Sequence, residues 1–431
     1  MVIWLLVPIY SSAAPDAWCS LVGCERAESS IWMIRARSRP AWAEIDAEAL
    51  VANARLMEGV IGSAKLCAVV KADGYGHGAV VVSKILESNG IDRFAVAHVD
   101  EAIELREAGI SSPILCLSEP SYSAIEGALE HRVTLTLYTK EGIDALAREA
   151  RRLYEKGLIR DPRAGYHLKV DTGMHRVGAD PKEISEIAEH GREVGLTLRG
   201  FWTHMSVADD PPEDGRDDFT KSQIRVFESA KNGLFARGFT PRLHVANSAT
   251  GVNYPHARYD MVRSGIALYG CSPSPKTQIS GLRQVMSLKS RVTYLRTVGA
   301  GMRPSYGRRR PTQGEMTVLA TVPLGYADGV PRALFDAGAE VLIKGKRRQL
   351  AGMVTMDQVV VDCGTDLDVA VGDEVVFLGS QGTESITPDE WAALLGTVNY
   401  EVVTRIGFRV PRILGSDVDR VIDGRMSEVR R

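Results

Sequence analysis

A lysine follows directly on an apolar, β-branched run in Ala68-Val69-Val70-Lys71, and Ala72-Asp73-Gly74-Tyr75-Gly76-His77-Gly78 comes straight after it. An amine in that position is costly to bury unless it is paired, exposed or used covalently. Lysines so placed shift pKa and form Schiff bases with carbonyl compounds. The glycines let the backbone come close to a ligand. Four further apolar runs end in polar groups: Lys169-Val170-Asp171-Thr172-Gly173-Met174-His175-Arg176, Trp202-Thr203-His204, Ala246-Asn247-Ser248 and Met261-Val262-Arg263-Ser264-Gly265. A lone His or Arg after an apolar run is usually structural. Five polar ends on one face of one fold are not explained that way.

The elements that carry these ends alternate. Short β-branched runs at Leu66–Val70, Phe94–His98, Pro113–Leu117, Val133–Leu137, Tyr166–Val170, Leu196–Thr203, Leu243–Ala246 and Tyr259–Val262 read as eight strands. Amphipathic stretches at Asp100–Ala108, Lys140–Lys156, Pro181–Val194 and Phe219–Arg237 read as helices between them, the last with Ile224, Phe227, Ala230 and Leu234 on one face. Strands alternating with helices pair in parallel, so the pattern predicts a (β/α)8 TIM barrel over residues 41–284, with its active site at the C-terminal strand ends. The competing open, doubly wound sheet has no G-x-G-x-x-G in its first unit and so no dinucleotide fingerprint. From 285 to 431 the runs become close-set: Leu288–Val298, Met316–Val322, Glu340–Ile343, Gln349–Val354, Val359–Asp362 and Glu374–Leu378, with one clear helix at Pro388–Leu395. This part reads as a mostly antiparallel β domain. Residues 1–40 stand apart. Their apolar run Val2–Ile9 lacks the basic flank of a secretory signal, so the reading is a tail or a start site that truly lies at Met33. The acid- and proline-rich Asp209–Asp218 reads as a solvated loop.

Composition narrows the function. The 431 residues carry 52 Lys+Arg against 54 Asp+Glu, a formal net charge of -2 that gives no footprint for nucleic acid. Cys67, Cys116, Cys271 and Cys363 are scattered, without CxxC or zinc spacing, which points to reduced thiols in a cytoplasmic protein and no metal site.

With the motif around Lys71 and with Lys169–Gly178, the chain resembles the bacterial alanine racemases, fold-type III pyridoxal 5'-phosphate (PLP) enzymes. The resemblance runs from about Trp42 to the C-terminus. It includes Ser305-Tyr306-Gly307, Gly325-Tyr326-Ala327-Asp328-Gly329, Met356-Asp357-Gln358 and Asn399-Tyr400-Glu401. It implies a homodimer that interconverts L- and D-alanine, supplying D-alanine for peptidoglycan, with no membrane or nucleic-acid partner. Lys71 would hold PLP covalently and act as one base, on the D side. Tyr306 of the partner subunit would be the other base, on the L side. Tyr75, Ser248, Gly265, Ile266 and Tyr400 would hold the phosphate, His204 would belong to the polar network of the cofactor, and Arg263 would face the pyridine nitrogen. Arg176 and the Met356 backbone would contact the substrate carboxylate, while Tyr326 and Asp357 would shape the entry. Lys169 matches a position carbamylated in some members, where the carbamate orients Arg176. His175 reads as solvent-facing, and Arg308-Arg309-Arg310 as an exposed turn or a dimer contact.

Three alternatives remain at this point: a broader-specificity racemase acting on residues such as serine, a PLP-dependent basic amino-acid decarboxylase, and a PLP-homeostasis protein without turnover. A decarboxylase needs a carboxylate against the pyridine nitrogen, where this chain has Arg263. Homeostasis proteins resemble the barrel alone.

Overall fold

The computed structural model describes residues 38–212, 218–418 and 422. The run Val2–Ile9, Met33 and the centre of the Asp209–Asp218 loop lie outside them. The chain divides into two compact units. One takes Ala47–Val285 and Val398–Thr404; the other takes the described residues up to Asp46, Met286–Thr397 and those from Arg405 onward.

The first unit is the expected barrel. Its strands are β1 (Lys65–Val69), β2 (Phe94–Val96), β3 (Ile114–Cys116), β4 (Val133–Leu137), β5 (Gly165–Lys169), β6 (Thr197–Trp202), β7 (Arg242–His244) and β8 (Met261–Ser264). Every neighbouring pair is parallel, and β1 lies between β2 and β8. The ring is drawn together between β7 and β8 by a bridge from Asn247 to Arg263, with Arg263 N–H donating to Ala246 O at 3.0 Å. Helices fill the intervals, and Phe219–Ala236 buries Ile224, Phe227, Ala230 and Leu234. Side chains start several of them: Thr139, Asp218 and Asn247 accept from the amides of Gly142, Lys221 and Thr250. Strand β2 stops at Val96, short of the predicted His98. The Glu101 carboxylate takes the Ala97 and His98 amides at 2.7 and 3.1 Å, so those residues turn into the next helix, Val99–Glu107. The helix Ala79–Ser88 was not anticipated, because its Val80-Val81-Val82 run reads as strand.

The second unit is the mostly antiparallel β structure. One sheet runs in the order Lys346–Gln349, Glu340–Ile343, Glu374–Gln381, Met286–Arg291, Ala41–Ile45, Arg412–Leu414, with Glu384–Ile386 beside Glu374–Gln381. A second joins Tyr294–Gly299, Met316–Val322 and Val359–Asp362. Three details differ from the sequence reading. Ala41–Ile45, assigned there to the barrel, pairs antiparallel with Met286–Arg291 and parallel with Arg412–Leu414, which buries Trp42 and Ile45. The run Leu288–Val298 is two strands in two sheets. The chain crosses over at Val292 and Thr293, whose amides bond to Asp373 O and Thr321 O. The strand expected over Gln349–Val354 lies earlier, at Lys346–Gln349. Beyond it Gly352 runs so close to Pro304 and Ser305 that a Cβ would stand 2.6 Å from each.

Candidate active site

The site begins with an unusual backbone. After β1 the chain coils the wrong way: Ala72, Asp73, Gly74 and Tyr75 have φ of 53°, 52°, 60° and 53°. Gly74 N–H donates to Val70 O at 2.8 Å and Gly76 N–H to Ala72 O at 2.9 Å, so Lys71 opens one turn of left-handed helix. Each non-glycine residue there costs about 1–2 kcal/mol. The surroundings offset that cost. Asp73 Oδ1 accepts from Ala79 N–H at 2.8 Å, and Glu101 Oε1 from Ala72 N–H at 2.6 Å. Gly76 has to be glycine, since a Cβ would lie 2.4 Å from Val403 O. Burial lowers the proton affinity of the Lys71 amine, Arg176 and Arg263 lower it further, and Glu101 opposes them.

Arg263 lies on β8, 3 % exposed, with its guanidinium over the Trp202 ring at 4.5 Å. Nη1 donates to His244 O at 2.7 Å and His244 Nδ1 at 2.9 Å; Nη2 donates to Thr203 O at 2.8 Å and Val245 O at 3.1 Å, with His204 Nδ1 at 3.4 Å. Among the described residues none accepts from Nε, and no carboxylate pairs with the group. Burial brings its pKa down to about 10. A guanidinium only donates, so Nδ1 of His244 accepts and that ring carries its proton on Nε2. Nε2 then donates to His167 Nδ1 at 2.9 Å. His204 Nδ1 is held as an acceptor in the same way. Burial first, and then nearby positive charge or the neighbouring imidazole, keeps these rings neutral: His204 and His244 titrate well below the ordinary value, and His167 at about 3.

On the far side of Arg263 lies a cradle of small groups. Ser248 Oγ is 3.2 Å from Ser264 Oγ and accepts from Gly265 N–H at 3.1 Å. A Cβ on Gly265 would sit 2.3 Å from the Tyr75 hydroxyl, so glycine makes room for that phenol. Tyr75 stacks on Tyr269 at 4.9 Å, with the Tyr400 ring 6.2 Å away, and Ile266 opens the short turn Ile266–Tyr269. Burial raises the Tyr75 and Tyr400 phenols, which therefore keep their protons and stay donors.

Lys169 ends β5, 4 % exposed, with Nζ 4.7 Å from the Trp202 ring centre. No carboxylate pairs with it among the described residues. Burial, then Arg176 and Arg263, lower it to about 7. Asp171 Oδ1 shapes the following loop by accepting from the Gly173 and His175 amides. Arg176 is exposed on that loop, and the His175 side chain is 84 % exposed.

Tyr306 and Met356 belong to the β unit. Ser305 Oγ donates to Met353 O at 2.7 Å, and the amides of Tyr326 and Ala327 donate to Thr355 O and Met356 O at 3.0 and 3.1 Å. The segments bearing Tyr306 and Tyr326 thus flank the one bearing Met356. All three side chains stand in solvent, an exposed apolar group on one edge of that unit. Asp357 pairs with Arg409 at 2.7 Å.

Comparison with known proteins now bears on the site. Residues 45–273 match the alanine racemase N-terminal domain, and 285–414 match the alanine racemase C-terminal domain. The alanine racemase of Symbiobacterium thermophilum is 42% identical over 88% of this chain and 98% of its own. That of Carboxydothermus hydrogenoformans is 42% identical over 87% and 99%. The chain belongs to the alanine racemase family. Among solved structures of the family, that from Clostridium difficile 630 is 37% identical, with a TM-score of 0.79 over 86% of this chain and 95% of its own. That from Bacillus anthracis, solved with bound L-Ala-P, is 36% identical, with a TM-score of 0.78 over 87% and 95%.

Two polar residues of this racemase barrel were not anticipated from sequence. Glu101 lies in the acidic run Asp100-Glu101, where nothing distinguishes it from a solvated helix start. His244 sits inside an apolar strand, and a single His there reads as core. Only the directions of their side chains reveal them.

Proposed function

We propose that this alanine racemase works with PLP, as a homodimer in the cytoplasm, and that Lys71 and the partner subunit's Tyr306 are its two bases. The reaction interconverts L- and D-alanine. The observation that carries the cofactor reading is Arg263. Its Nη groups are committed to three carbonyls and to imidazole nitrogens, and its Nε–H is left to donate. A planar aromatic nitrogen that stays an unprotonated acceptor fits that donor. The Gly265 cradle, with the Ser248 hydroxyl and the protonated phenols of Tyr75 and Tyr400, suits a phosphate. The half-buried Lys71 amine suits an aldehyde. When bound, PLP supplies the electron sink that makes the α-proton of alanine acidic.

The remaining work falls to the chain. Inverting Cα requires a proton to leave one face and arrive on the other, and one rigid base cannot reach both. Lys71 serves the D face and Tyr306 the L face. Arg176 and the Met356 backbone hold the substrate carboxylate. His204, kept neutral, accepts from Arg263 and fixes its plane. Arg263 in place of a carboxylate keeps the pyridine nitrogen unprotonated, which favours prompt return of the proton over decarboxylation. Lys169, near half-neutral at pH 7, is open to CO2, and the resulting carbamate would replace a repulsive cation beside Arg176 with an anion.

The test is direct. With PLP added, the protein should absorb in the visible, and borohydride should fix the cofactor on Lys71. L-alanine should become a mixture of enantiomers. Lys71→Ala removes both anchor and base and should lose more than about 10⁴-fold of the rate. Mixing inactive Lys71→Ala and Tyr306→Phe chains should restore part of the activity, because a hybrid dimer keeps one intact site. A colourless protein without racemisation would end the reading.

A further inference from the structure

The left-handed turn and the cations around Lys71 both lead to Glu101. Its two oxygens reach three backbone amides: Oε1 takes Ala72 N–H at 2.6 Å, and Oε2 takes Ala97 N–H at 2.7 Å and His98 N–H at 3.1 Å. It thus ties the turn that begins at the lysine to the end of the neighbouring strand, β2. Arg263 from β8 and Arg176 from the loop after β5 both act on that amine, while Lys169 at the end of β5 is itself lowered to about 7. His204 after β6 is neutral. Asp73, in the lysine's own turn, has one oxygen committed to Ala79 N–H, and Glu104 on the helix with Glu101 has its carboxyl raised by burial.

We propose that Glu101 is a positioning residue for Lys71: its carboxylate clamps the strained turn that aims the amine, and its charge answers the surrounding cations. A lysine near two guanidiniums is a poor proton acceptor without a counter-charge, and a base that returns protons to Cα needs one. The inference rests on reading Lys71 as the cofactor-bearing base.

The fold contains its own control. Glu119, in the loop after β3, clamps the end of β4 in the same manner, taking Tyr138 N–H at 2.6 Å, Thr139 N–H at 3.1 Å and the Thr139 hydroxyl. It faces a threonine that starts a helix, not the reactive lysine.

The experiment uses the full-length chain, freed of cofactor with hydroxylamine. The rate of reductive methylation at Lys71 is followed by peptide mass spectrometry across neutral to alkaline pH, with thermal unfolding to confirm the fold. Glu101→Gln should move the Lys71 titration midpoint down by about one pH unit. Glu119→Gln should leave it in place while lowering thermal stability. An unmoved midpoint in a folded Glu101→Gln chain would overturn the proposal, and so would an equal shift in Glu119→Gln. If Glu101→Gln does not fold, Glu101→Asp keeps the charge on a shorter arm. Its midpoint should hold while PLP capture at Lys71 slows about tenfold, the effect of about 1.4 kcal/mol of lost clamping. Wild-type midpoint together with wild-type capture would overturn the proposal there. A wild-type chain that captures no PLP at all would sink the cofactor reading, yet the amine titration would still judge Glu101.

Discussion

Two buried charges, Asp328 of the β unit and Arg263 of the barrel, are held in opposite ways. In the β unit Asp328 is fully buried and fully answered: Arg39 stands 2.8 Å away, Arg409 3.3 Å, and Gly325 N–H donates at 2.9 Å. In the barrel Arg263 and Lys169 are as deeply buried, and carbonyls, neutral imidazoles and the Trp202 face stand where carboxylates would be expected. A charge matched by its opposite is finished and serves the fold. A cluster of cations held by neutral acceptors still has capacity for an anion, which is what a phosphate and a carboxylate-bearing substrate bring.

The buried barrel groups can be titrated in solution. His167, His204 and His244 resist protonation when folded, so the unfolded chain binds more protons below its ordinary imidazole value of about 6.5. Their folded pKa values are depressed, so stability is lost as pH falls below about 6.5, down to about 3 in the case of His167, by up to about 1.4 kcal/mol per pH unit for each ring. Lys169 adds the same sign at higher pH, between the ordinary amine value of 10.5 and about 7. Urea midpoints measured from pH 7 down to pH 5 should fall, and more shallowly in His167→Gln. Flat midpoints would mean that the barrel charges are already neutralised.

The β unit should respond to the loss of one group. Asp328→Ala takes a shared carboxylate away from two arginines and a buried amide and should cost about 3 kcal/mol of unfolding free energy. Capture of PLP by Lys71 should survive wherever the variant is folded. A loss under 1 kcal/mol would show that the pair is as weak as a surface one.

Much of this arrangement was legible in the residues. All eight barrel strands were legible as short, mostly apolar runs between helical stretches, and the polar groups read as a site lie at or just after their C-terminal ends, where a parallel barrel places its chemistry. Pairing across long separations was not legible. Ala41–Ile45 looks like any apolar strand, and only its partners Met286–Arg291 and Arg412–Leu414 place it in the β unit. The wrong-handed turn was half-visible: Gly74, Gly76 and Gly78 hint at positive φ, but Ala72, Asp73 and Tyr75 do not, and the carboxylates of Glu101 and Asp73 that tie it to the Ala72 and Ala79 amides show only in the fold. His244 and Glu101 are ordinary letters until the fold aims them.

A smaller effect belongs to Lys169. If the barrel is short of anions, Lys169 should take up CO2. ¹³C-bicarbonate should then give a carbamate resonance that is missing in Lys169→Ala, with activity rising modestly, about twofold, as bicarbonate is added to a degassed enzyme. An enzyme indifferent to bicarbonate and without the resonance would leave Lys169 a plain amine.

If the two faces of Cα are served by two different groups, hydrogen exchange reads it directly. Tyr306→Phe keeps the ring and removes only an exposed hydroxyl. In deuterium oxide it should lose racemisation in both directions by about 10²–10⁴-fold, the contribution of a positioned base. It should still exchange the α-proton of D-alanine through Lys71, while exchange of L-alanine falls with the lost hydroxyl. A variant that exchanges L-alanine as readily as D-alanine, or racemises near the wild-type rate, would contradict the two-base account.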